Sequence, residues 1–165
     1  MKAYRLSKRV LKKTLYLLLM LLFFCVCATY PAGVHPAKVM TMGWNGMYLY
    51  DIHSNGKLEV FAIGNMDPEG MLSLEIEDFS DYSLVTSKKL SLKEIKVINQ
   101  LITDVKNNSD SNYQPYVEDA AMIIAKIDEE TYLTTYYDEW PDGNVDVRNL
   151  THRLVELSPV NEPFG

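Results

Sequence analysis

The stretch that decides the fold is a strand–turn–strand pattern at residues 47–63, MYLYDIHSNGKLEVFAI. Asn55-Gly56 lies between two runs of apolar and aromatic residues, and this dipeptide favours the positive φ angles of a tight hairpin turn. Pairing the two runs about the dipeptide places one set of side chains on the predicted core face: Tyr48, Tyr50, Ile52, Phe61 and Ile63. The pattern therefore predicts an antiparallel hairpin.

The residues after this hairpin predict two further strands and a helix. Leu72, Leu74 and Ile76 alternate with polar residues, which is typical of a half-buried strand. A short edge strand is predicted at Tyr82–Thr86. Ser91 and Glu94 form a capping box. The helix that follows it has apolar residues at helical spacing, namely Ile95, Ile98, Leu101, Ile102 and Val105.

The second half of the chain repeats this arrangement. Ala120–Ile127 and Thr131–Tyr137 predict two strands, and a turn follows them. Val145–Leu157 predicts a helix whose apolar face carries Val147, Leu150, Leu154 and Leu157. The sequence thus predicts a single α+β domain over residues 44–165. In this domain, two ββα-like units contribute their strands to one antiparallel sheet, and both helices pack on the same face of that sheet.

The N-terminus has the layout of an export signal. Six of the 16 basic residues stand in the first 13 positions, and an uncharged run of 14 residues that ends at Ala28 follows them. The run predicts a hydrophobic helix shorter than the roughly 20 residues that span a bilayer, so we predict a signal peptide over residues 1–28. An uncleaved anchor, lipidation at Cys25 or Cys27 and a buried core helix remain alternatives.

Residues 29–43, rich in Pro and Gly, predict a linker.

The charge of the chain excludes some partners. Its 165 residues have a net charge of −6, and without residues 1–28 the net charge is −12 and both Cys are lost. An acidic domain is repelled by nucleic-acid phosphates and by anionic lipids. We therefore predict a protein partner, no nucleic acid, no cofactor, and membrane contact only through the N-terminal segment before cleavage. The predicted location is secreted or cell-surface, or membrane-anchored if that segment is retained.

The acidic turn before the second helix is a weak candidate metal site. Acids fall at the first, fifth and ninth positions of a calcium-loop pattern, at Asp138, Asp142 and Asp146. Trp140 stands at the third position, which needs a ligand, and a strand rather than a helix leads into the turn. We therefore interpret the segment as an acidic turn in which Asn144 caps the next helix, and we predict no metal.

Aromatic residues mark the candidate binding surface. Tyr and Trp act as rigid anchors in recognition surfaces, and the candidates are Tyr48, Tyr50, His53, Tyr136, Tyr137 and Trp140. The sheet face opposite the helices is expected to be open, carrying Leu49, Asp51, His53 and Val60. The leading hypothesis is that the chain is an exported protein-binding module.

Two other function classes remain as alternatives. One is a carboxylate-dependent hydrolase, in which two acids pair and one has a raised pKa; its candidates are Asp51, Glu75, Glu77, Asp138 and Asp142. The sequence holds no P-loop, dinucleotide-binding glycine pattern or nucleophile elbow, which disfavours an enzyme. The other alternative is a membrane-tethered structural module.

Overall fold

The computed structural model of the chain describes residues 33–43, 46–65, 73–114, 121–135 and 143–158. Gly33–Gly165 form one compact unit. The predicted signal peptide, residues 1–28, lies outside the described residues. No helix in the described ranges is long and apolar enough to cross a membrane.

The described residues form an α+β fold, as predicted. Six strands make one sheet, in the order β4-β3-β2-β1-β5-β6, and every neighbouring pair is antiparallel. The strands are β1 Ala37–Gly43, β2 Gly46–Ile52, β3 Lys57–Asn65, β4 Asp81–Lys89, β5 Met122–Ile127 and β6 Glu130–Thr135. The two helices are α1 Leu92–Asn108 and α2 Val145–Leu157.

The prediction of a linker over residues 29–43 is wrong for its second half. Residues 37–43 form β1, which lies in the middle of the sheet between β2 and β5. Val39, Met40 and Thr41 are fully buried, so this strand is covered on both faces. Such a strand lacks the alternation of polar and apolar residues by which half-buried strands are recognised. In the described ranges, four strands therefore precede α1, and the first half of the domain is not a ββα unit.

The predicted hairpin forms, but the register proposed for it is wrong by one residue. Ile52 pairs with Leu58 and Tyr50 with Val60. The loop between His53 and Lys57 holds three residues rather than two, and its last residue, Gly56, has a φ of 80°. This geometry is typical of a turn that ends in a left-handed residue. A one-residue shift moves side chains to the opposite face, so Phe61 and Ile63 do not share a face with Tyr50.

One face of the sheet, here called the helix face, is covered by both helices. Sheet residues such as Val39, Tyr50 and Ile123 share one core cluster with side chains of both helices. From α1 these are Ile95, Ile98, Ile102 and Val105, and from α2 they are Val147, Leu150, Leu154 and Leu157. The predicted capping box is present at Ser91 and Glu94, and the predicted bounds of α2 are confirmed.

The opposite face, here called the second face, is covered in its middle. The strand predicted from Leu72 to Ile76 is wrong for the part that is described: Leu74 has a φ of 53°, and Ile76–Asp78 form a short 3₁₀ helix. Leu74 and Phe79 are buried against apolar residues of the central strands, among them Met40, Leu49 and Ile124. These strands carry apolar side chains on both faces. Burial of the apolar side chains of the second face is favourable, and the segment around Leu74 and Phe79 buries them.

Candidate functional site

The structure changes the list of candidate binding residues. Tyr50 is fully buried beneath the helices, so it is not part of a surface. Tyr48 is half-buried and packs against the same core cluster. His53 is partly exposed, and its Nε2 lies 2.8 Å from Glu59 Oε2. The other three candidates, Tyr136, Tyr137 and Trp140, lie outside the described residues.

Two members of the predicted open face are also buried. Leu49 belongs to the cluster on the second face, and Val60 lies in the cluster beneath the helices. Val60 occupies the helix face because the three-residue loop shifts the register of β3. The remaining members, Asp51 and His53, are half-buried and lie at the turn end of the second face.

The weak metal candidate is described only at its last residue. Asp146, in the first turn of α2, accepts a hydrogen bond from Asn108 Nδ2 at 3.0 Å, whereas Asp138 and Asp142 lie outside the described residues. Asn144 stands at the N-cap position of α2, but its side chain bonds to the backbone of Asp110 and to Leu133 O instead. Within the described part of the chain, no three His, Cys, Asp or Glu residues converge as a metal site.

A row of charged side chains crosses the second face at its turn end. In the strand register, Glu59 of β3 is opposite Asp51 of β2, which is opposite Lys38 of β1, which is opposite Lys126 of β5. Directly opposite residues of antiparallel strands share a face. The four side chains, here called the charged row, are therefore neighbours on the second face, beside the apolar cluster.

A small pocket lies over three of the four residues of this charged row, and Glu59 does not line it. It has a volume of about 140 Å³ and is lined by Pro36, Ala37, Lys38, Asp51, Glu75, Lys126 and Asp128. The sequence named five acids as candidates for a catalytic pair, and two of them, Asp51 and Glu75, line this pocket. Glu77 is exposed and does not line it.

The sequence did not point to the three other charged residues of the pocket. Lys38 belongs to β1, and because the sequence predicts a linker at this position, it gives Lys38 no strand neighbours. Lys126 interrupts the otherwise apolar strand β5, MIIAKI, and this single charge was the signal that could have drawn attention to it. Asp128 follows the same strand and takes a φ of 54°.

Most charges in and around the pocket have close partners. The Lys38 ammonium pairs with the Glu75 carboxylate, and Lys106 Nζ lies 2.6 Å from Asp128 Oδ2, a contact that lowers the pKa of Asp128. Lys126 Nζ donates to the backbone carbonyl of Ser73 at 2.9 Å.

Asp51 has the least compensated carboxylate of the charged row. Its only ion pair within 4.0 Å among the described residues is with His53 Nε2, at 3.9 Å, and the same nitrogen lies closer to Glu59. Burial raises the pKa of Asp51, because a carboxylate loses hydration in the pocket wall. In contrast, hydrogen bonds from Lys57 and then His53 lower the pKa of Glu59.

A second feature is a group of exposed apolar residues on the edge strand β4. Tyr82, Leu84 and Val85 are 46%, 53% and 44% exposed, and we call them the β4 patch. The Tyr82 ring meets that of Phe61 edge to face, with centroids 6.1 Å apart. The edge strand predicted at Tyr82–Thr86 is confirmed, because β4 lies at one edge of the sheet, and it extends over nine residues.

The backbone edge of β4 is poorly suited to receive another strand. The pairing of β3 with β4 shifts between Val60 and Phe61, which leaves Val85 as an extra residue in a bulge. Two lysines, Lys88 and Lys89, follow on the same strand. Bulges and edge lysines are the usual means by which proteins prevent edge-to-edge pairing. Contacts at β4 are therefore expected through its side chains.

No model of a protein family matches the chain, and no curated protein matches it in sequence.

Proposed function

We propose that the protein is an exported protein-interaction module and that its contact surface is the β4 patch. The observation that carries this proposal is the exposure of Tyr82, Leu84 and Val85 next to one another on the edge of the sheet. Adjacent large apolar side chains on a surface are typical of sites that bind other proteins. Tyr82 supplies an aromatic anchor, which is the residue type most often found at the centre of such contacts.

The charge of the domain favours a basic partner. Residues 33–165 hold ten Lys and Arg against 22 Asp and Glu, which gives a net charge of −12. A field of this sign accelerates the approach of a positively charged protein and repels an acidic one. The proposed partner therefore presents an apolar contact area surrounded by basic residues.

Export is part of the proposal because of the N-terminal sequence. The basic start and the uncharged run of 14 residues support a secretory signal. If the segment is retained instead, the same interaction surface would be presented by a membrane-anchored protein. The intact mass and N-terminal residue of the protein recovered outside the producing cell distinguish these two cases.

Site-specific photo-cross-linking in the producing cell tests the contact surface. A photoreactive phenylalanine analogue replaces Leu84 in one variant and Leu92 in a matched control. Leu92 is also apolar and is 65% exposed, but it opens α1. We expect a defined adduct from position 84 that is lost when Tyr82 is also changed to Asp. No adduct at position 84, or equal adducts from both positions, would contradict the proposal.

A carboxylate-dependent hydrolase is the second candidate, favoured by the presence of Asp51 and Glu75 in one pocket. Glu75 forms an ion pair with Lys38, whereas Asp51 has no lysine within 4.0 Å among the described residues and burial raises its pKa. An acid and a base that work together need two carboxyl groups in different environments such as these. Turnover of chromogenic esters, amides or glycosides that is lost in both Asp51→Asn and Glu75→Gln would support it, and no turnover of any of them would count against it.

A further inference from the structure

The pocket over the charged row holds one anion and one cation that the described residues leave largely uncompensated. Among the described residues, His53 is the only cation within 4.0 Å of Asp51, at 3.9 Å, and Lys38 acts on it from farther away. Lys126 makes a hydrogen bond to a backbone carbonyl, which is a neutral acceptor, and it forms no ion pair within 4.0 Å with any other residue of the described ranges. Both side chains line the pocket, so opposite charges are available to a ligand on two sides of one cavity.

The strand register sets the arrangement of these two groups. Asp51 and Lys126 are both opposite Lys38, on the strands that flank β1. Neighbouring strands are roughly 4.8 Å apart, so the two backbones are separated by two strand spacings and the side chains reach toward the cavity between them. The Lys38 ammonium forms its ion pair with Glu75, so it compensates the Asp51 carboxylate only in part.

The size of the pocket limits the ligand. Pockets for drug-sized molecules occupy roughly 300–1,000 Å³, whereas this one has about 140 Å³. A molecule of a few heavy atoms fits such a volume. A ligand with a single charge would be attracted by only one of these two groups. A cationic ligand would be repelled by Lys126, and an anionic ligand would be repelled by Asp51.

We propose that this pocket binds a small zwitterion, a molecule with both an ammonium and a carboxylate group, of which a free α-amino acid is the simplest case. The ammonium donates to the Asp51 carboxylate, and the carboxylate accepts from the Lys126 ammonium. Charge-assisted hydrogen bonds of this kind are the stronger ones in proteins. This site is separate from the β4 patch, and it does not depend on whether that patch binds a protein.

Glycine and its two halves are the probes that test this proposal. Methylammonium carries only the cationic group of glycine, and acetate carries only the anionic one. In equilibrium dialysis of the full chain, held in mild detergent, against each radiolabelled probe, we expect glycine to bind at least about tenfold more tightly than either half. Glycine is chosen because it has no side chain that could clash with the pocket walls.

Four variants make the test specific to the pocket. Asp51→Asn and Lys126→Met each should weaken glycine binding by about tenfold. Asp104→Asn and Lys96→Met should leave it unchanged, because both residues lie on α1 outside the pocket lining, Asp104 half-buried and Lys96 exposed. Each variant is first shown to have the circular dichroism spectrum of the unmodified chain, and if one pocket variant fails this check the other still decides.

Three results would overturn the proposal. They are the absence of glycine binding, equal binding of glycine and one of its halves, and binding that survives both pocket variants. None of them bears on the photo-cross-linking result at Leu84, so the pocket and the β4 patch are judged separately.

Discussion

At the scale of single residues, Glu94 connects α1 to the sheet through two kinds of contact. Its carboxylate accepts a hydrogen bond from Ser91 N at 2.7 Å, which closes the capping box, and another from Lys88 Nζ at 2.8 Å. The bond from Lys88, followed by those from Ser91, lowers the pKa of Glu94 from 4.5 to about 2. The sequence predicted the capping box, because its spacing is local. It could not predict the contact with Lys88, which depends on where β4 ends.

The Glu94 carboxylate should make the free energy of unfolding depend on pH in the acidic range. Because the folded pKa of Glu94 is depressed, its contribution is complete above the ordinary value of 4.5 and is lost as the pH falls toward about 2. Glu94→Gln keeps a side chain able to cap the helix but removes the charge. We expect the variant to lose up to about 1 kcal/mol of unfolding free energy at neutral pH.

Urea unfolding at about pH 7 and at about pH 3 measures this loss. The difference in unfolding free energy between Glu94→Gln and the unmodified chain should shrink at the lower pH. Glu77→Gln, at an exposed acid of the 3₁₀ helix, is the control and should change little. A deficit of Glu94→Gln that stays the same at both pH values would contradict the role of the charge.

Asp51 should behave in the opposite way. Burial raises its folded pKa above the ordinary value of 3.8, so the charged carboxylate opposes folding as the pH rises from 3.8 through the raised pKa. Asp51→Asn removes this charge at nearly constant volume. We expect its free energy of unfolding at neutral pH, measured with urea, to equal or exceed that of the unmodified chain. A loss of more than about 1 kcal/mol would mean that the carboxylate is needed for the fold.

At the scale of elements, the sequence predicted an element correctly where its pattern is local. The prediction failed where the pattern depends on packing against elements that are distant in the sequence. The bounds of α2 follow from helical spacing within one segment, and they agree with the structure. The residues of β1 alternate in no visible way, because other elements cover both of its faces. The segment around Leu74 looked like a strand, but its apolar side chains cover the second face instead.

The turn at Gly56 is the element on which the register of β3 depends. Its φ is 80°, and a Cβ at this position would lie 3.1 Å from Ile95 Cδ1 of α1. Gly56→Ala therefore adds both a strained backbone and a close contact, and we expect it to lower the free energy of unfolding by about 1–2 kcal/mol. Ser54→Ala, at an exposed residue of the same loop, should change it by less than about 0.5 kcal/mol. Equal effects in thermal or urea unfolding would contradict this account of the turn.

At the scale of the whole molecule, the candidate sites depend on how β1 joins the two halves of the sheet. The sequence placed Asp51 and Glu75 among possible paired acids, but it could not bring Lys38 and Lys126 to the same pocket without β1 in its place. It also predicted a binding surface from aromatic residues. Tyr50, one of them, is buried, and the exposed apolar group lies on β4 instead. Which tyrosines are covered depends on the register and on helix packing, which composition does not reveal.

The most direct test of this account compares two truncated chains, residues 33–165 and residues 44–165. The second chain begins at the domain boundary that the sequence predicted and lacks β1, the strand between β2 and β5. Urea unfolding followed by circular dichroism should give one cooperative transition for residues 33–165 and none for residues 44–165. The same cooperative transition in both chains would show that β1 is dispensable, and would contradict the single six-stranded sheet on which the pocket is built.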